Sequence, residues 1–254
     1  MTEKQLLDMW RFEEEFPFGG WDFSHLDGRW EEETLPWDYD AIVRRHLRPE
    51  HVILDMDTGG GEYLLSLRHP YEQTAATESY PPNFELCQNE LEPLGVTIAS
   101  CDPERERLPF ENNSFDLVMN RHGAYRAVEI MRVLKSGGVF ITEQVGGRNN
   151  MLLSTRLLPD YAPLYPAHDL AHERARFEAA GFELLETKEY FPNVRFFDIG
   201  ALVYFARIIQ WEFPGFGVDA CRAELLSLQR EIQERGEVKS LEHRFLIVAR
   251  KPKK

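Results

Sequence analysis

Cysteine is scarce. Cys87, Cys101 and Cys221 are the three in 254 residues, widely spaced and without a C-x-x-C pair. An odd count in that arrangement gives no basis for a disulfide framework or a cysteine zinc site, and reduced thiols are expected. Positive charge is short as well: 29 Lys and Arg stand against 43 Asp and Glu, a formal net charge of −14. A field of that sign repels phosphate backbones and anionic membrane surfaces, so nucleic acid is a disfavoured partner. Long hydrophobic runs are missing. The longest apolar stretch, 199–209, is interrupted by Arg207 and is too short to span a bilayer. Met1-Thr2-Glu3-Lys4-Gln5 has neither the basic start nor the apolar run of a signal peptide. A soluble, cytoplasmic protein, monomer or homodimer, with no membrane contact is expected. Repeats and low-complexity tracts are also absent, and no composition shift marks a domain boundary.

What the chain does have is a run from Val52 to Asp57 that ends in acids, followed by Thr58-Gly59-Gly60-Gly61-Glu62 and the apolar-periodic Tyr63-Leu64-Leu65-Ser66-Leu67. Such a run reads as strand, tight turn and helix. Glycines permit positive φ and let backbone N–H groups approach a ligand closely, and a carboxylate at the strand end accepts hydrogen bonds from it.

Strand and helix patterns alternate from there. A helix capped by Asp38 precedes the first strand, 51–57. The second strand is Thr74 to Glu78, followed by Ser79-Tyr80-Pro81-Pro82 and a helix to about Leu91. The third is Gly95 to Ser100, and the fourth Ser114 to Met119, running into Asn120-Arg121-His122-Gly123. A helix from about Arg126 to Leu134 is expected to end at Gly137-Gly138, before a fifth strand at 139–142. Asp169 to Ala180 reads as a helix, Phe182 to Tyr190 as a sixth strand, 200–211 as a buried helix, and 241–250 as a final antiparallel edge; Asp219 is the expected cap of a helix that Gly236 ends. Alternation at this spacing predicts βαβ crossovers and a parallel sheet covered on both faces.

Three readings compete for the glycine turn. A P-loop requires lysine where Glu62 stands, and a dinucleotide fingerprint meets Leu64 where Gly or Ala is wanted. A third reading takes in more of the chain: Asp55-x-x-x-Gly59-x-Gly61, Glu78 at the next strand end, Asp102 after the third, Leu108-Pro109-Phe110 before Ser114-Phe115-Asp116-Leu117-Val118, and Arg132 to Phe140 leading into the fifth strand. In that order these resemble the class I S-adenosylmethionine-dependent methyltransferases, over roughly residues 40 to 145, with an echo at Ala179-Ala180-Gly181-Phe182.

The resemblance implies a Rossmann-like, doubly wound α/β fold: a seven-stranded, mostly parallel sheet with an antiparallel C-terminal strand, an N-terminal arm and an insert after strand 5. It implies S-adenosylmethionine as cofactor, with Gly59, Gly60 and Gly61 beside the methionyl part and Asp55 on its ammonium. Glu78 would face the ribose hydroxyls, Tyr80 or its neighbour Ser79 the adenine ring, and Asp102 the adenine amino group, with Glu104 its rival. Thr58 and Asn120 belong to the same expected set. Asp57 is a departure, because the family usually has glycine there; Asp tolerates left-handed geometry, so the turn can survive.

Methyl transfer is an in-line displacement that needs a base only when the acceptor must lose a proton. His122, at the end of the fourth strand, is the candidate base, and Arg121 a candidate for holding an acceptor carboxylate. His168-Asp169-Leu170-Ala171-His172 mimics a zinc helix, but a third ligand is missing and an ordinary helix start is expected, with no metal. One domain over 1–254 is expected. Residues 1–37 would be an aromatic arm or lid in which Trp21 and Trp30 wall a substrate pocket shared with His122, 38–145 the cofactor-binding core, 146–167 a cover segment, and 168–254 the rest of the sheet and its helices. The acceptor expected is a small molecule; methylation of RNA or protein, or a non-catalytic binding role on the same fold, are the alternatives.

Overall fold

The computed structural model describes residues 1–18 and 22–253. In chain order the strands are β1 (Trp30–Glu32), β2 (Ile53–Met56), β3 (Thr74–Glu78), β4 (Thr97–Ser100), β5 (Phe115–Arg121), β6 (Leu134–Val145), β7 (Glu183–Tyr190), β8 (Asn193–Phe196), β9 (Val238–Leu241) and β10 (Arg244–Arg250). The α-helices are α1 (Glu3–Glu15), α2 (Tyr39–His46), α3 (Glu62–Ser66), α4 (Pro81–Glu90), α5 (Ala127–Val133), α6 (Met151–Leu157), α7 (Leu170–Ala179), α8 (Ile199–Ile208) and α9 (Arg222–Arg235). They group into two compact units, one of Met1–Leu35, Gly146–Ala167 and Tyr190–Arg244, the other of Pro36–Val145, His168–Glu189 and Phe245–Lys254.

The second unit is built on a seven-stranded sheet of order β4-β3-β2-β5-β6-β10-β7. β2 pairs in parallel with β3 and β5, β3 with β4, and β5 with β6. β10 is antiparallel to β6: the start of β6 meets the end of β10, where the Gly137 N–H donates to the Lys251 carbonyl (3.0 Å) and the Lys251 N–H to the Gly138 carbonyl (2.9 Å). The mostly parallel sheet expected from the strand and helix alternation is thus present, with the seven strands and Rossmann-like order that the family resemblance implies. β2 is buried at every position, as a central parallel strand covered on both faces must be. Leu54, Val118, Phe140 and Ile247 from the strands pack with Ile130 and Val133 of α5 and Phe177 of α7. The strand order reverses between β2 and β5, and a doubly wound sheet opens a crevice at the carboxyl ends of its strands at that point.

Two boundaries differ from expectation. α5 ends at Val133 with Leu134 already extended, so β6 starts before the glycine pair. Gly137, at φ +81, serves an irregular stretch of strand rather than a helix stop. The last strand is two: β9 stops at Leu241, and the His243 N–H donates to Asn149 Oδ1 (2.7 Å) before β10 begins.

The first unit carries a three-stranded antiparallel sheet of order β1-β8-β9. Its core surrounds α8, whose residues from Ile199 to Ala206 are all buried, as its apolar circumference requires. The aromatic N-terminal stretch folds into this unit: α1, closed by a capping box of Thr2 and Gln5, supplies Leu6, Leu7 and Trp10, and Phe16, Phe18, Phe23 and Trp30 pack against the same core. Asp198 caps α8 through the Ala201 N–H (2.8 Å) and is clasped by Arg29 at 2.9 and 2.7 Å. Asp219 does not cap α9, which starts at Arg222 without a side-chain cap; it pairs with Arg11 instead (2.7 Å). No helix among the described residues is long and apolar enough to cross a membrane.

Candidate functional site

The carboxyl ends of β2 and β3 bring the expected acids together around the glycine turn. Asp55 is buried and accepts from Thr58 Oγ1 (2.7 Å), while the Thr58 N–H donates to the Thr77 carbonyl (3.1 Å). The turn is thus tied to both strands. Gly59 and Gly61 take φ of +64° and +84°, which an L side chain adopts only with strain. A Cβ on Gly61 would also stand 2.6 Å from the Leu91 side chain, whereas one on Gly59 would meet nothing within 4 Å. Gly60 has a more local neighbour, the Glu62 carboxylate.

Glu78 fastens the turn from the next strand. Its Oε2 accepts from the Gly59 N–H (2.9 Å) and its Oε1 from the Tyr80 N–H (2.8 Å). A carboxylate offers about four lone-pair positions, so both oxygens keep capacity for a ligand hydroxyl. Ser79 and Tyr80 are exposed at the start of α4. Asp102 accepts from the Glu104 N–H (3.0 Å), and its own N–H donates to Glu106 Oε2 (2.9 Å). The residue thereby heads a tight polar loop beside the rival Glu104.

Electrostatically the turn is strained. Burial, offset in part by the Thr58 hydroxyl and the Arg121 charge and reinforced by Glu78, pushes the Asp55 carboxyl up to about 6. Burial and then the Glu78 charge push Asp57 up to about 7, against the Ala124 backbone N–H, which favours its ionised form. Asp57 sits at φ +54, its Oδ1 is buried without a hydrogen-bond partner, and its Oδ2 lies where a Cβ on Gly123 would come within 2.4 Å.

Asn120 has a different place from the one expected. Fully buried, it donates to the Met56 carbonyl (3.2 Å) and accepts from Thr142 Oγ1 (3.1 Å) and Gln144 Nε2 (2.7 Å). It cross-links β2, β5 and β6 beneath the site. Arg121 lies over the rings of Tyr63 (5.2 Å) and Tyr39 (5.8 Å). His122, at φ +63, donates its backbone N–H to the Glu143 carbonyl (2.9 Å) and places Nε2 3.9 Å from Glu143 Oε1; Trp37 Nε1 donates to the other oxygen of Glu143 (2.6 Å).

Trp37, Tyr39, Tyr63 and Glu143 were not among the sequence candidates. Glu143 had a usable signal, since it is another acid at the carboxyl end of a strand, as Asp55 and Glu78 are. Trp30 packs at 5.5–6.2 Å from Phe205, Phe196 and Phe23 in the first unit, and Trp21 lies outside the described residues. The zinc-like stretch is a helix start: Asp169 caps α7 through the His172 N–H (2.9 Å) and also bonds His172 Nδ1 (2.8 Å).

Residues 54–142 match the methyltransferase domain family. Among curated proteins, the chain is 33% identical over 87 residues to the phthiotriol/phenolphthiotriol dimycocerosates methyltransferase of Mycobacterium leprae, covering 32% of this chain and 31% of that one. It is 28% identical over 138 residues to a second such protein of Mycobacterium ulcerans, covering 52% of this chain and 45% of the relative. The chain thus spans less than half the length of these relatives. Among solved structures, the YcgJ protein of Bacillus subtilis superposes with a TM-score of 0.56 at 18% identity, over 84% of this chain and 97% of that one. The [4+2]-cyclase SpnF superposes with a TM-score of 0.51 at 16% identity, over 88% and 87%. At such identities the two structures speak for the fold alone, and the second carries a different activity on it. From β2 to β6 the chain thus matches the methyltransferase domain family, on the strand order that the resemblance to class I S-adenosylmethionine-dependent methyltransferases implies.

Proposed function

We propose that the protein transfers a methyl group from S-adenosylmethionine to a small-molecule acceptor. The observation that carries this reading is the convergence of Asp55, Asp57 and Glu78 on a glycine turn at the point where strand order reverses. The residues suit the cofactor. Asp55 is an acceptor for an ammonium group, Glu78 retains lone pairs for a ribose diol, and the open outer side of Gly59 lets a ligand lie against the backbone. Asp102, with Ser79 and Tyr80, is assigned to the adenine end.

When bound, the cofactor would supply a sulfonium methyl for in-line transfer to the acceptor's nucleophile, with the sulfur as leaving group. The chain's part is positioning and, for a hydroxyl acceptor, proton removal. His122, with Glu143 behind it, is the group assigned to take that proton, and Arg121 on its two tyrosine rings is assigned to an anionic group of the acceptor. A small acceptor is favoured over RNA by the charge of −14, and the names of the curated relatives also point away from a macromolecule.

Titration calorimetry with S-adenosylmethionine tests the cofactor, with saturable binding expected at micromolar concentrations. No binding at millimolar cofactor would leave a non-catalytic protein on this fold. A screen for labelled methyl transfer into a metabolite pool then identifies the acceptor.

A further inference from the structure

Asp57 is the residue that the general scheme leaves without a task. It occupies left-handed backbone that favours glycine, and its Oδ2 is fitted against Gly123 so closely that no other residue type fits there without a shift. Oδ1 is buried and unpartnered. Apart from the Ala124 backbone N–H, which favours its ionised form, the groups acting on this carboxyl are acidic ones from the neighbouring elements: Glu78 from β3, Asp55 from its own strand and Asp102 from the loop after β4. The thiol of Cys101 faces the same charge and is itself pushed up to about 11, first by burial. A carboxylate so placed is satisfied by a cation and by little else.

We propose, on the cofactor reading above, that Asp57 makes this site select by charge, favouring S-adenosylmethionine over S-adenosylhomocysteine. The first carries one positive charge more than the second, which the reaction has discharged. The methionyl ammonium and the ribose diol are common to both, so Asp55 and Glu78 hold them alike. What differs is net charge in a poorly screened environment, and there a third ionised carboxylate raises affinity for the substrate form without helping the product form. Product release is then built into the turn. Ionising Asp57 when the cationic ligand binds also releases a proton, so the preference for S-adenosylmethionine grows as pH rises from 6 to 8.

The test compares wild type with Asp57→Asn, which keeps size and tolerates left-handed backbone, and with Asp57→Gly, which relieves the backbone altogether. Dissociation constants for both ligands are measured by calorimetry at pH 6 and pH 8, after thermal melts confirm folding. In Asp57→Asn the ratio of affinities, S-adenosylmethionine over S-adenosylhomocysteine, is expected to fall by at least about tenfold at pH 8, a lower bound for one unit charge acting at short range in a protein interior. Proton release, read from the dependence of heat on buffer ionisation, is expected to shrink with it. Wild type that binds both ligands while Asp57→Asn and Asp57→Gly leave the ratio unchanged would overturn the role of Asp57 and leave the cofactor reading intact. Wild type that binds neither ligand would overturn both.

Discussion

At Glu78 a single side chain does two things. It closes the turn through the Gly59 and Tyr80 N–H groups, and on the proposed reading it meets the ribose. Glu78→Ala should therefore weaken S-adenosylmethionine binding by roughly 1–3 kcal/mol, the loss of charge-assisted hydrogen bonds, and lower the melting temperature as well, because two backbone donors lose their acceptor. Calorimetry and a thermal melt on the same sample read both. Unchanged affinity removes Glu78 from the site. This acid was legible in the sequence because a strand pattern ends on it, as one does on Asp55. Trp37 and Tyr63 were not, since nothing in one dimension says that position 37 meets position 143 or that Arg121 lies over position 63. Asn120 reads as a ligand contact because it is a polar residue at a strand end, and only the positions of Thr142, Gln144 and the Met56 carbonyl reveal that its Oδ1 and one of its two N–H donors are taken up within the sheet.

Elements that carry their own local signals match the sequence expectation, short strands such as β2 and β4 included, and elements made by pairing do not. The β3 and α2 patterns carry their own evidence in β-branched residues, an acid at the strand end and the Asp38 cap, whose side chain accepts from the Ala41 N–H (3.0 Å). β1 and β8 are three and four residues long and become strands only by pairing, Trp30 opposite Phe196 and Glu32 opposite Val194. No local pattern announces them. The same pairing decides where Trp30 goes: its ring lies among Phe23, Phe196 and Phe205. Trp30→Ala should lower stability by roughly 2–4 kcal/mol, somewhat below the loss of a fully buried aromatic. Urea unfolding gives the first number and calorimetry the second, the cofactor affinity of the folded variant, which should stay at the wild-type value. An altered cofactor affinity would contradict the assignment of this ring to the core of the first unit.

Across the whole molecule, the surplus of acid is not spread evenly in its effects. Most carboxylates are solvated or ion-paired, but each unit also holds buried ones displaced upwards. Asp55 and Asp57 rise to about 6 and about 7 in the second unit. In the first, burial raises Glu212 despite Asn150 and Asn149, and raises Glu242 despite Arg244. The sign follows from proton counting. A carboxyl whose folded pKa lies above its unfolded value holds its proton in the folded state while the unfolded chain has lost it, so stability falls as pH rises between the two values. For Asp55 and Asp57 that window opens near pH 4 and closes near pH 7, and the penalty accumulated across it is on the order of a few kcal/mol. Urea midpoints of the cofactor-free protein should therefore drop from pH 5 to pH 8, and Asp57→Asn should flatten part of that drop. Glu242→Gln, on the other unit, should remove a separate part without touching ligand binding. Saturating S-adenosylmethionine should restore more stability at pH 8 than at pH 5, because the cation pairs with carboxylates that are ionised only at the higher pH. Burial lowers His46 and His51, which act in the opposite sense below pH 6.5, so the decisive comparison is between wild type and Asp57→Asn: parallel midpoints across this range, in the absence of cofactor, would mean that Asp57 ionises without penalty in the folded chain, and the electrostatic strain assigned to the glycine turn would have to be withdrawn.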